Sequence, residues 1–272
     1  MAATVSTAPP ALLAFQARYP EVAAGVAGGE WTYRDTARDG MPLVLLPGAQ
    51  ATADMFYRVA AALADDLRVI TATPPPLADC GALARSLAGF LDAVGASRAH
   101  LLGSSLSGHV VQLFAAMQPQ RVETLVLSST FFDAAPYLAQ MPSAEAIAAT
   151  PAEQLLDSML MKMLAAPVTE PVQLELQQAV QALMGPRQSA ATLRTRVLAL
   201  RLSGVAPVVP LAPERIVLID DDDDPVILPG MRRQLRERYR ASEQHTLAGG
   251  GHYPYILRAD AYAEILRMRL QR

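Results

Sequence analysis

A chain of 272 residues, 51% of them hydrophobic and 18% charged, is long enough for one large α/β domain with an insertion and short for two independent domains. A formal charge of −3 gives no footing for nucleic-acid binding through a clustered basic face; Lys162 is the only lysine, so the arginine excess reads as compositional bias. The single cysteine, Cys80, excludes an internal disulfide and a cysteine-based metal site and fits a reducing compartment. Met1–Phe15 lacks the basic and continuous apolar regions of a signal peptide, and no run approaches the ~20 apolar residues of a membrane span. The expectation is a soluble, cytoplasmic protein.

In chain order, residues 1–20 are Ala/Pro-rich, with a short helix expected at Ala11–Ala17. Trp31–Asp35 alternates and is β-prone, which predicts an early, edge-side strand. Met41–Leu46 is a short continuous apolar run, the pattern of a parallel strand covered on both faces, and it breaks at Pro47-Gly48-Ala49-Gln50. A helix with Val59 and Leu63 on its apolar side follows. The next strand is Leu67–Ala72, ended by Pro74-Pro75-Pro76. Leu83, Leu87, Phe90, Leu91 and Val94 then mark one helix face that stops at Gly95. Ala99–Leu102 and Thr124–Ser128 read as further buried strands. Strands alternating with helices in this way predict βαβ units and a doubly wound, mostly parallel sheet.

The alternation lapses between about Ala134 and Pro210, where prolines 142, 151, 167, 171 and 186 cut the chain into short helices. Within it lies Met159-Leu160-Met161-Lys162-Met163-Leu164, which suits either core packing or an adaptable apolar wall. An inserted helical cap over the sheet has this appearance, giving a core domain of residues 1–133 and 211–272 and a cap of 134–210. Alternation returns with a strand at Arg215–Ile219, a helix at Gly230–Tyr239, a strand at Glu243–Leu247, a loop at Gly249–His252 and a helix at Ala259–Leu270.

Gly103-Ser104-Ser105-Leu106-Ser107-Gly108 joins a predicted buried strand to an amphipathic helix whose apolar stripe is Leu106, Val110, Leu113, Phe114 and Met117. Crowding explains the composition. Strand and helix approach closely only if the residues two before and two after the central serine, Gly103 and Ser107, are small. Such a hexamer also suits a plain helix-capping turn. In its strand–turn–helix setting it resembles the nucleophile elbow of the α/β-hydrolase superfamily, with Ser107 where a glycine is usual. Pro47–Phe56, the elbow, and Gly250-Gly251-His252-Tyr253-Pro254-Tyr255 are together similar to segments of maspardin-type proteins, a branch of that superfamily.

The resemblance implies an α/β-hydrolase fold and a triad in the chain order serine, acid, histidine, because a serine hydroxyl needs a base, and the base an orienting acid. Ser105 is the implied nucleophile. Among four histidines, His100 falls in a buried strand, His109 in the elbow helix and His245 beside the last strand; His252 alone follows the final strand in a glycine-rich loop. Asp224, followed by Pro225-Val226, fits the acid's register, with Asp133 in reserve, and Asp220–Asp223 read as a solvated turn. The glycine and spaced ligands of a calcium loop are missing there, and no metal or cofactor is implied. Oxyanion donors are expected at the backbone N–H groups of Ala49 and Leu106, and apolar substrate contacts at Met161 and Met163. The expected activity is that of a serine hydrolase of esterase or thioesterase type, cleaving a small, partly apolar acyl ester. Two alternatives stand: another enzyme on the same scaffold, such as an acyltransferase, C–C hydrolase or cyclase of a biosynthetic pathway, and a non-catalytic binding protein of the maspardin kind. Maspardin lacks the usual histidine, whereas this chain has His252, which favours an enzyme.

Overall fold

The computed structural model describes residues 8–50 and 52–271; residues 1–7 of the expected core segment, Ala51 and Arg272 lie outside the described residues. The chain begins with α1 (Pro10–Arg18), β1 (Val22–Val26), β2 (Gly29–Asp35), β3 (Leu43–Leu46), α2 (Tyr57–Leu63), β4 (Val69–Thr73) and α3 (Cys80–Ala93). It continues through β5 (Ala99–Ser104), α4 (Leu106–Met117) and β6 (Val122–Ser128). Five helices follow: α5 (Ala135–Leu138), α6 (Ala144–Ala149), α7 (Ala152–Leu164), α8 (Pro171–Leu183) and α9 (Ala190–Arg201). The chain closes with β7 (Ile216–Asp221), α10 (Pro229–Arg238), β8 (Glu243–Leu247), α11 (Pro254–Leu257) and α12 (Ala259–Leu270).

The eight strands form one sheet in the order β1-β2-β4-β3-β5-β6-β7-β8. β1 and β2 are antiparallel to their neighbours, and the pairings from β4 through β8 are parallel. The apolar run of β3 shows why the parallel strands lack polar alternation. Leu43 and Leu45 join the core on one face, with Leu63 of α2 and Leu266 of α12. Val44 and Leu46 join the core on the other, with Leu87 of α3 and Phe114 of α4. All four are at most 1% exposed, because helices cover both faces.

One strand departs from expectation. Val22-Ala23-Ala24-Gly25-Val26 pairs with β2 and forms the sheet edge, so β2 sits one strand inward. Its alanines and glycine give weak β propensity and its residues are half-buried or exposed, so no apolar period marks it. The turn that closes this hairpin contains Gly28, at φ +104°.

The strand order reverses around β3, flanked by β4 on one side and β5 on the other. A crevice opens at such a switch point, outside the carboxyl ends of the strands. The loop after β3 and the turn after β5 both face it. Between β6 and β7 the described residues contain no strand but α5–α9 and a short 3-10 turn at Pro213–Arg215, with Pro151 preceding α7 and Pro171 opening α8.

Candidate active site

Ser105 caps the N-terminus of α4 with φ +52° and ψ −120°, a left-handed conformation that a non-glycine residue adopts only when its surroundings enforce it. The surroundings are specific. Ser105 N–H donates to Ser128 O at 3.0 Å, and its carbonyl accepts from Thr130 Oγ1. A Cβ at Gly103 would overlap the Ser107 carbonyl, and one at Gly108 would overlap Thr130. Strand and helix are therefore as close as backbones allow. Ser107, the departure from the usual elbow, donates its hydroxyl to Pro47 O and so ties the elbow to the loop after β3.

His252 lies in the loop between β8 and α11, its side chain 12% exposed. Its Nδ1 stands 3.0 Å and 3.1 Å from the two carboxylate oxygens of Asp224. The Asp224 side chain is fully buried, and its Oδ1 also accepts from Val226 N–H at 2.8 Å and Ile227 N–H at 3.0 Å. Charge-assisted bonds of this kind hold a carboxylate in one orientation. Ser105 and His252 line one cavity of about 60 Å³, together with Ala49, Tyr137, Met159 and Tyr253.

The solvated-turn reading holds for only part of the run: Asp222 and Asp223 are exposed in a turn, whereas Asp220 and Asp221 end β7 and are buried. Asp220 is 8% exposed and pairs with Arg236, Nη2 to Oδ1 at 2.9 Å. Asp221 is fully buried. Asp223 accepts from Gly251 N–H at 2.9 Å and Asp222 from Gly249 N–H at 3.4 Å, bracing the loop that ends in His252. A strand end and a tight turn send successive carboxylates in different directions, so they do not converge. Among the described residues no group of His, Cys, Asp or Glu is arranged to hold a metal ion.

Asp133 does not line the cavity; its Oδ1 accepts from Ala135 N–H at 2.8 Å, at the start of α5. Burial lowers His100 and His109 to about 4, leaving both neutral, and His109 stacks on Phe131. His245 bonds Glu243 at 2.7 Å. Burial pushes the Cys80 thiol up to about 12, so it is no nucleophile at neutral pH.

Ala49 borders the cavity, and its carbonyl accepts from Gln188 Nε2 at 2.8 Å. Leu106 is the first residue of α4, where no intrahelical acceptor exists for its N–H. Met161 departs from expectation: it is 71% exposed and does not line the cavity. Met159 lines it instead, because two residues along a helix turn the side chain by about 200°. Met163 stands behind the wall, its sulfur 3.8 Å from Tyr253 Oη. Sequence reasoning also passed over Gln50 and Tyr253, although both adjoin residues it singled out. Tyr253 Oη donates to Gln50 Oε1 at 3.0 Å, and Gln50 Nε2 reaches Met159 Sδ at 3.6 Å, closing one side of the cavity. Burial and then the Asp224 charge raise the Tyr137 phenol above its ordinary range; burial does so chiefly for Tyr253, so both remain neutral donors.

A strained serine on a strand–helix turn, beside a histidine held by a buried carboxylate at the switch point of a doubly wound sheet, is the arrangement of the α/β hydrolases. This chain belongs to the alpha/beta hydrolase family, whose profile matches residues 43–265. It is 38% identical over 109 residues to a 2-hydroxy-6-oxononadienedioate/2-hydroxy-6-oxononatrienedioate hydrolase of Burkholderia vietnamiensis, a match covering 35% of this chain and 38% of that one. It is 35% identical over 95 residues to human maspardin, covering 34% and 31%. The chain thus spans under two fifths of the length of either relative. The enol-lactonase of Burkholderia xenovorans shares its fold at a TM-score of 0.74 and 19% identity, over 92% of this chain and 100% of that one.

Proposed function

We propose that the protein is a serine hydrolase of esterase or thioesterase type that cleaves a small, partly apolar acyl ester in the cytoplasm. The observation that carries this reading is the 3.0 Å approach of His252 Nδ1 to the buried Asp224 carboxylate, in a cavity that Ser105 shares. Asp224 holds the imidazole with Nδ1 protonated, so Nε2 is free to take the Ser105 proton. Ser105 Oγ attacks the acyl carbon, and the developing oxyanion accepts from the N–H groups of Ala49 and Leu106. The Nε2 proton passes to the departing alcohol or thiol as its bond to carbon breaks. Water, deprotonated by the same nitrogen, then releases the acid and restores Ser105. Residues 134–210 serve as the cap, supplying Tyr137, Met141, Met159, Val197 and Leu200 to the cavity wall.

The small cavity supports a short acyl group. Among the described residues its lining contains no lysine or arginine, which favours an uncharged substrate over a dianion. A second reading, hydrolysis of a C–C bond, rests on the similarity to the oxononadienedioate hydrolase and uses the same serine and histidine. The non-catalytic reading, binding in the manner of maspardin, leaves the His252–Asp224 pair without a role. The test is turnover of short p-nitrophenyl and thioester substrates beside a vinylogous 1,5-diketone. Ester or thioester cleavage, lost by at least ~10³-fold in Ser105→Ala, is expected. Cleavage of the diketone alone would move the assignment to C–C hydrolysis, and no turnover of any substrate would favour the binding protein.

A further inference from the structure

Four of the five consecutive aspartates are accounted for by their partners: Asp220 by Arg236, Asp222 and Asp223 by glycine N–H groups, and Asp224 by His252. Asp221, the last residue of β7, is different. It is fully buried; Ser129 Oγ donates to its Oδ2 at 3.2 Å, and its Oδ1 has no hydrogen-bond partner among the described residues. Gly250, two residues before His252, lies directly on this carboxyl, since a Cβ there would overlap it. Ser129 is itself pinned at φ +40°, with its N–H on Ile219 O at 2.9 Å. The groups facing Asp221 are Ser129 after β6, Tyr255 of α11, Tyr262 of α12, and Asp220, Asp223 and Asp224 of its own segment. None of these is a cation.

We propose that Asp221 is a positioning residue of the candidate site: a neutral carboxylic acid, wedged between Ser129 and Gly250, that seats the loop carrying His252 and unseats it on ionising. The inference rests on the reading of His252 and Asp224 as base and orienting acid. An ionised Asp221 would be a buried charge with no counter-ion, three residues from a second buried carboxylate. Burial chiefly, with the three neighbouring carboxylates adding and the Ser129 hydrogen bond opposing, lifts the group to about 8. Below that pH the carboxyl is uncharged, and Gly250 packs on it. Above it, the new charge demands water in a space that Gly250 fills, and the 249–252 loop shifts away from Asp224.

Infrared spectroscopy on the full chain tests the first half of the proposal. At pH 7 the protein should show the carbonyl stretch of a protonated carboxylic acid, disappearing as the pH rises through about 8. This measurement needs no variant and is repeated in Ser105→Ala, so it stands or falls apart from the catalytic assignment. Asp221→Asn, a neutral isostere, should remove the band and keep kcat at pH 7 within about threefold, while abolishing the fall in kcat above pH 8. Ser129→Ala, which removes the hydrogen bond favouring the ionised form, should move that alkaline limb to higher pH. Absence of the band at pH 7 in the wild type would overturn the proposal. So would an alkaline limb unchanged in Asp221→Asn.

Discussion

Ser105 and Asp224 hold the two side-chain geometries on which the site depends, and neither is free to relax. The left-handed Ser105 backbone costs about 1–3 kcal/mol, which Thr130, Ser107 and the glycines at 103 and 108 offset by fixing strand against helix. Asp224→Asn should keep the loop but leave His252 in the wrong tautomer, lowering turnover by on the order of 10⁴-fold. Asp133→Asn, which disturbs only the start of α5, should cost far less; steady-state kinetics on both variants checks the choice of acid, and reversed losses would refute it. Asp221 has an opposite consequence for stability. Its folded pKa lies above the unfolded value of 3.8, so the native state binds the extra proton between pH 4 and 8. That contribution to stability is therefore full below about pH 4 and is lost as pH rises to about 8. Asp221→Asn should flatten this slope in urea denaturation measured across the range. The five aspartates look alike in the sequence, and only the change from strand to turn separates a salt bridge, a buried acid, two loop braces and a histidine partner.

At the scale of elements, two of the residues by which the helical segment after β6 meets the site, Gln188 and Met159, have separable consequences. Gln188, 2% exposed and placed between α8 and α9, holds the Ala49 carbonyl at 2.8 Å and so fixes the peptide next to the proposed oxyanion donor. Gln188→Ala should lower kcat by roughly 10-fold to 100-fold with little change in KM, because it misaligns a donor used in the transition state. An effect confined to KM would contradict that role. Met159 is the second of these residues. Met159→Ala should change the preference among ester chain lengths by about 1–3 kcal/mol, while Met161→Ala, on the solvent side of α7, should leave it unchanged. Equal effects of the two would contradict the placement of α7. The methionine cluster was visible in the sequence, but its rotation about the helix axis was not. With apolar residues at 159, 160, 161, 163 and 164, hydropathy marks no single inward face.

Across the whole molecule, the parallel strands were legible because two covered faces leave continuous apolar runs, as in β3 and β7. The antiparallel edge was legible only in part. β2 carries Trp31, fully buried and stacked on Phe90 at 4.6 Å, whereas β1 offers alanine and glycine. The strand–helix turn at Ser105 and the loops that carry Asp224 and His252 could be anticipated, but the braces could not, since Ser107–Pro47, Gln188–Ala49 and Arg34–Asp54 join segments distant in sequence. The last of these ties α1, β2 and the turn after β3. Arg34 and Asp54 are 6% and 5% exposed, with Nε–Oδ1 at 2.7 Å, and Arg34 Nη1 donates to Tyr19 O at 2.6 Å. Asp54→Ala leaves that guanidinium buried and uncompensated, and should destabilise the fold by about 3–5 kcal/mol in equilibrium unfolding. In the proposed mechanism Ser105, His252 and Asp224 act as one nucleophilic unit. Its most direct measurement is stoichiometric labelling with a fluorophosphonate, followed by peptide mapping. The expected result is one adduct per chain, on Ser105, formed far more slowly in Asp224→Asn. An adduct on Ser104 or Ser107, or no adduct on the folded wild-type protein, would contradict it.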